Sequence, residues 1–172
     1  MADVLFGDYN PAGRLPLTFY KSLDDLPPFG DYDITQGRTY QYFTGKPLYP
    51  FGYGLSYTRF QYSNLAVKNG QEKLAIHFSI KNNGKVDGDE VAQVYVKLPG
   101  QNIPMPIKQL KGFKRIFIKQ GESKVLAIDI DKAQLRFWDE GQSKFVTPKG
   151  NYTIMVGASS DDIRLKQNIE LE

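Results

Sequence analysis

Lys73-Leu74-Ala75-Ile76-His77-Phe78-Ser79-Ile80-Lys81 runs straight into Asn82-Asn83-Gly84-Lys85, and this stretch decides the class of fold. Leu74, Ile76, Phe78 and Ile80 fall on one face of an extended chain, and Lys73, Ala75, His77, Ser79 and Lys81 fall on the other. A period of two marks a half-buried strand; a helix would scatter those four apolar side chains around its axis. Asn and Gly tolerate positive φ, so residues 82–85 read as the turn that ends the strand.

The same pattern continues toward the C-terminus. Ala92, Val94, Val96 and Leu98 alternate with Gln93, Tyr95 and Lys97 until Pro99-Gly100, and Pro104 and Pro106 hold the next stretch as loop. Further strands are predicted at Gly112–Ile118, Lys124–Ile130, Asn151–Ala158 and Ile163–Leu171, with turns at Lys119–Glu122 and Thr147–Gly150. About seven short strands after Phe60, with no convincing helix and no internal repeat, predict an all-β chain built as an immunoglobulin-like sandwich.

Toward the N-terminus the alternation stops. Residues 1–62 hold 15 of the 22 Tyr and Phe residues and six of the ten prolines, at 11, 16, 27, 28, 47 and 50. Proline fixes φ and removes a backbone donor, so neither a long helix nor a central strand can run through this part. Such a segment cannot bury its rings against its own regular structure. It is expected to be an extended, mostly irregular arm laid over the sandwich. It is also expected to be a linker whose other side packs on a preceding domain and leaves an apolar patch without it. The expected division is 1–59 for the arm and 60–172 for the sandwich.

Composition excludes several classes of function. The net charge of +3 divides into about −1 for residues 1–62 and +4 for the rest, far from the dense basic face of a nucleic-acid binder. There is no cysteine, so neither a disulfide framework nor a thiolate metal site can form. No apolar run approaches the ~20 residues that span a bilayer, and Met1-Ala2-Asp3 lacks the regions of a signal peptide. No nucleic acid, membrane, metal or cofactor is expected as a partner.

Three N-terminal phrases have a distinctive wording: Asn10-Pro11-Ala12-Gly13-Arg14-Leu15-Pro16, Gly37-Arg38-Thr39-Tyr40-Gln41-Tyr42-Phe43 and Leu48-Tyr49-Pro50-Phe51-Gly52-Tyr53-Gly54-Leu55-Ser56-Tyr57-Thr58. Together they resemble the C-terminal part of glycoside hydrolase family 3, which includes the bacterial β-glucosidases and β-xylosidases. Enzymes of that family often end in a fibronectin type III-like domain. Lys81–Gly84, Gly88–Val96, Leu110–Phe113 and Lys149–Thr153 look like its recurring phrases, so the resemblance covers essentially the whole chain. Residues 2–7 look like the last turn of the family's preceding α/β sandwich domain, which would make Met1 an added start and the chain a fragment. Where the family often shows Arg, this chain has Gln41, so any salt bridge made there is lost or replaced. The phrase at Gly37–Tyr40 looks more like the β-xylosidase-type members. A periplasmic or secreted parent would suit the family.

Hydrolysis of a glycosidic bond needs two carboxyl groups on opposite sides of it. The acidic groups here are Asp24/Asp25, Asp31/Asp33, Asp87/Asp89/Glu90, Asp139/Glu140 and Asp161/Asp162, all among turn residues, where such pairs cap backbone donors or face water. The resemblance implies the same conclusion, since the family's nucleophile and acid/base residue belong to upstream sequence. No catalytic residue is assigned, and the chain is expected to be inactive alone although its parent would be an O-glycosyl hydrolase.

His77 has no partner for a metal site or a Ser–His relay and is expected on the solvated face of its strand. Asp87-Gly88-Asp89-Glu90 lacks the spacing of a calcium loop. Gly52-Tyr53-Gly54 lacks the third glycine of a phosphate cradle. Asn151-Tyr152-Thr153 fits a glycosylation sequon that opens a strand. Trp138 is expected to pack in the core or at an edge.

The resemblance singles out Tyr40, Tyr42, Phe51 and Tyr53 as domain-interface residues, rings that would brace the wall of the active site in the intact enzyme. The expected role is therefore a non-catalytic C-terminal region that stabilises its parent's upstream domains. An independent carbohydrate-binding module, or self-association through the arm, are the alternatives.

Overall fold

The computed structural model describes residues 1–172. Seven strands make two antiparallel sheets. One has the order β1 (Phe60–Asn69), β2 (Lys73–Asn82), β5 (Ser123–Asp131). The other has the order β4 (Gln109–Ile118), β3 (Gly88–Lys97), β8 (Gly150–Gly157), β9 (Ile163–Leu171). The chain is an all-β, two-sheet sandwich of the immunoglobulin-like kind preceded by a mostly irregular arm.

The alternation that predicts the strands also builds the core. Leu74, Ile76, Phe78 and Ile80 are buried, and the first three stand opposite Ile130, Ile128 and Leu126 of β5. Facing them from the second sheet are Ala92, Val94, Val96, Tyr152, Ile154 and Val156. Burying one such aliphatic or aromatic side chain is worth about 1.5–3 kcal/mol, so this layer is the main source of stability.

Three details depart from expectation. β4 begins at Gln109, ahead of the predicted Gly112, because pairing with β3 resumes past a register shift as Leu110 opposite Tyr95 and Gln109 opposite Val96; the Leu110 amide donates to the Tyr40 hydroxyl of the arm (3.0 Å). A separate hairpin, β6 (Phe137–Asp139) with β7 (Lys144–Val146), lies outside both sheets; three-residue strands leave too short an alternation to detect. Asn82 is not merely a turn residue. It is fully buried, its amide donating to Val86 O (2.9 Å) and Ile118 O (3.1 Å) and its oxygen accepting from Thr58 Oγ1 and Gly84 N.

Tyr152 is buried on β8 and its hydroxyl donates to Pro148 O at 2.5 Å, four residues upstream. A tyrosine bonded back to the preceding corner is a recurrent device of immunoglobulin-like sandwiches. Tyr152→Phe is expected to cost about 1 kcal/mol, the net worth of one hydrogen bond, measured by urea unfolding.

Residues 1–59 contain only a short helix α1 (Ala2–Phe6), one 3-10 turn (Leu23–Asp25) and a single helical turn α2 (Thr39–Tyr42). No helix is long and apolar enough to cross a membrane.

Candidate interface between the arm and the sandwich

The arm lies on the outer face of β3, the face that alternation assigns to water. Gln93 and Tyr95 point outward from the core there, yet they are 3% and 0% exposed. What covers them is the turn Pro50–Tyr53, closed by Tyr53 N donating to Pro50 O (3.1 Å). Gly52 has φ +82, the positive value that the third position of a type II turn requires. A Cβ at Gly52 would also collide with the Gln93 side-chain amide, so glycine alone lets the backbone approach so closely. Gln93 Nε2 donates to Gly52 O (3.1 Å) and to Ala158 O (2.5 Å), while Gln93 Oε1 accepts from the Tyr95 hydroxyl (2.5 Å).

Tyr40 and Phe51 complete this contact. Their rings stack at 4.3 Å, and the Tyr40 ring meets Tyr95 edge-on at 5.8 Å. Burial drives the Tyr95 phenol well above its usual range, with Tyr40 adding to the effect. The neighbouring Gln41 carbonyl accepts from Ile107 N (2.7 Å). Of the four rings singled out in the sequence, these two share one stack against the sandwich.

The other two lie elsewhere. Tyr53 sits 5.1 Å from Tyr49, which meets Phe19 edge-on at 6.2 Å where residues 19 and 49 form an isolated antiparallel bridge. Tyr42 is half-buried, and its phenol is raised first by desolvation and then by the charge of Asp33.

A second tie is ionic. Arg14 of the arm pairs with Glu90 of β3 (Nη2–Oε1 3.2 Å), their side chains 11% and 3% exposed. The same carboxylate oxygen accepts from Tyr62 OH at 3.0 Å. The Tyr62 phenol is pushed far up by desolvation, then by the charge of Glu90. Arg164 lies over the Tyr62 ring at 4.8 Å, bonds Phe60 O and pairs with Asp162. Asn10 makes a third tie, donating to Asp87 O (2.9 Å) and accepting from Tyr57 N (2.8 Å).

Arg14, Glu90, Gln93 and Tyr95 escape sequence reasoning because each is unremarkable locally. For Gln93 and Tyr95 the signal is an uncharged run on a strand whose outer face should be charged, and for Glu90 it is a carboxylate in step with the inward row of Ala92, Val94 and Val96.

The remaining acidic groups are engaged mostly as turn residues. Asp24 and Asp25 lie in the 3-10 turn behind a Ser22 capping box. Asp31 and Asp33 accept from nearby amides, Asp139 from Gln142, and Asp89 pairs with Arg115. Glu90 departs from the water-facing role expected of its cluster, because it falls on the inward row of β3 with Ala92 and Val94, where Tyr62 and Arg14 enclose it. No group of three or more His, Asp or Glu side chains is placed to hold a metal ion. His77 is partly exposed between Ala66 and Ala127. Trp138 packs edge-on against Phe145 at 5.2 Å across the β6–β7 hairpin and stays 49% exposed.

The model of the glycosyl hydrolase family 3 C-terminal domain matches residues 1–57, and that of the fibronectin type III-like domain matches residues 90–160. A xylan 1,4-beta-xylosidase of Xylanibacter ruminicola is 41% identical over 97% of the chain, and a putative beta-glucosidase of Schizosaccharomyces pombe is 38% identical over 96%. Beta-glucosidase 3B of Thermotoga neapolitana, solved with alpha-D-glucose, superposes with a TM-score of 0.91 at 37% identity over 98% of the chain. The chain spans only 19% and 21% of the two relatives' lengths and 26% of the solved chain.

Proposed function

The chain belongs to glycoside hydrolase family 3 as its C-terminal region, and from that premise we propose that it is a non-catalytic brace for the catalytic domains of a β-glycosidase acting on β-xylosides or β-glucosides. Residues 1–59 serve as the connecting arm and residues 60–172 as the rigid body behind it. Tyr40 and Phe51 anchor the arm to that body, while Tyr53 packs within the arm against Tyr49. A rigid support of this kind holds a loop-built site in its productive geometry.

The observation that carries this is where apolar surface remains uncovered. Fifteen of the twenty-three exposed large hydrophobic residues fall in residues 1–59, about a third of the chain. The arm is thus bonded to the sandwich on one side and apolar toward solvent on the other, as a segment held between two bodies must be.

The isolated chain is expected to release no nitrophenol from nitrophenyl β-xyloside or β-glucoside above a buffer control. Grafted in place of the matching C-terminal region of the Xylanibacter ruminicola xylosidase, it is expected to restore a stable enzyme where simple truncation does not. Turnover by the isolated chain, or a truncated enzyme as stable as the graft, would refute the brace. One observation favours a second role, the exposed Trp138–Phe145 pair, since such rings stack on sugar faces. Heat on titration with xylo- or cello-oligosaccharides, abolished by Trp138→Ala, would assign carbohydrate binding instead.

A further inference from the structure

We propose that the loop of residues 22–36 is the docking knuckle of this brace, and that its partner is a patch on the preceding catalytic part of the enzyme that is both apolar and basic. This rests on the brace function and names the surface through which it works.

Three side chains of the loop are almost fully in water: Phe29 at 96%, Tyr32 at 85% and Leu23 at 84% exposed. Interspersed with them in the sequence are Asp24, Asp25, Asp31 and Asp33, with Lys21 the only cation between Arg14 and Arg38. In a chain of net charge +3, residues 21–36 therefore carry −3. A loop that exposes large apolar side chains together with one sign of charge selects a partner surface that is apolar and of the opposite sign.

The loop is also folded in advance. Ser22 and Asp25 close a capping box, and Asp31 N donates to Pro28 O (3.0 Å). Asp33 takes hydrogen bonds from Thr35 N (2.9 Å), Thr35 Oγ1 (2.7 Å) and Gln36 Nε2 (3.1 Å). These bonds, that of the Thr35 hydroxyl foremost, lower the Asp33 pKa and keep it ionised. From outside the loop, the Arg38 guanidinium bonds the carbonyls of Pro28 and Asp31. A loop that had only to connect two elements would need no such staple. One whose backbone is already ordered presents its side chains at little further entropic cost on docking. The loop also belongs to the same arm whose inner side is already bonded to the sandwich, so its outer side is where the connection continues.

The test uses the full-length graft described above. Phe29→Ser with Tyr32→Ser is expected to lower the thermal midpoint of the graft by several degrees while leaving the urea midpoint of the isolated chain unchanged. Asp24, Asp25, Asp31 and Asp33 all changed to Asn should remove the part of the graft's stability that 0.5 M salt removes from the parent graft, screening being strongest for exposed charges. Phe29→Tyr with Tyr32→Phe should behave as the parent graft. A serine variant that melts with the parent graft, when truncation is destabilising, overturns the knuckle and leaves the brace standing. An equal loss in the isolated chain also overturns it, by making the residues internal supports. So does concentration-dependent dimerisation of the isolated chain that the serine variant abolishes, which would give the surface to a second copy.

Discussion

Glu90→Ala is expected to lower the free energy of unfolding by about 3–5 kcal/mol, the cost of leaving a buried charge without its partner. Arg14 would keep a guanidinium whose Nε already has no acceptor, and Tyr62 would lose the acceptor of its hydroxyl. Glu90→Gln, which keeps the shape and an acceptor, should cost distinctly less. The pair Arg14→Met with Glu90→Leu should also cost less than Glu90→Ala alone, because removing both charges leaves neither stranded. Urea unfolding of the four proteins measures this, and limited proteolysis in the arm should accelerate in step with the loss. An alanine variant within about 0.5 kcal/mol of the parent, the scatter of ordinary surface changes, would mean that water replaces the carboxylate and that the contacts of Gln93, Tyr40 and Asn10 hold the arm without the ion pair.

Alkali should destabilise the fold steeply. Tyr62, Tyr95 and Tyr152 are buried, and desolvation holds all three phenols above their ordinary value, Tyr152 up to about 12 and the other two further. The native state therefore keeps protons that the unfolded chain releases from about pH 10. Their contribution is complete below that pH and is lost as pH rises toward the folded values. By pH 11 each tyrosine should have surrendered about 1.4 kcal/mol, or about 4 kcal/mol for the three. Lys108 and Lys111, whose pKa values burial lowers, act in the opposite sense over this range. Comparison with Tyr152→Phe isolates one tyrosine: between pH 8 and pH 11 that variant should lose about 1.4 kcal/mol less than the parent. Urea midpoints at the two pH values, followed with tyrosinate absorbance, supply the measurement. Parallel curves for parent and variant would show that Tyr152 ionises in the folded state without cost.

Residues 60–171 were largely legible before any coordinates, because a strand's side chains alternate within a few residues and that pattern is local. Leu74 through Ile80 were assigned to the core by spacing alone, and all of the even members are buried there. The last strand, Ile163–Leu171, falls where its alternation predicts. Membership of the family was legible too, since the phrases that carry it are continuous in sequence.

Everything that joins the arm to the sandwich depended on tertiary structure. Arg14 and Glu90 are 76 residues apart, and Gly52 and Gln93 are 41 apart. No local pattern records which arm residue will cover which strand. Gln93 and Tyr95 follow the period of a solvent-facing row and are buried only because another part of the chain lies over them. Likewise, the aromatic richness of residues 1–62 marked an arm in need of surfaces, but only the folded chain divides its rings between Tyr40 and Phe51, turned to the sandwich, and Phe29 and Tyr32, left in water. Alternation tells each residue which side of its own strand it occupies; what stands on that side is settled by contacts between distant segments.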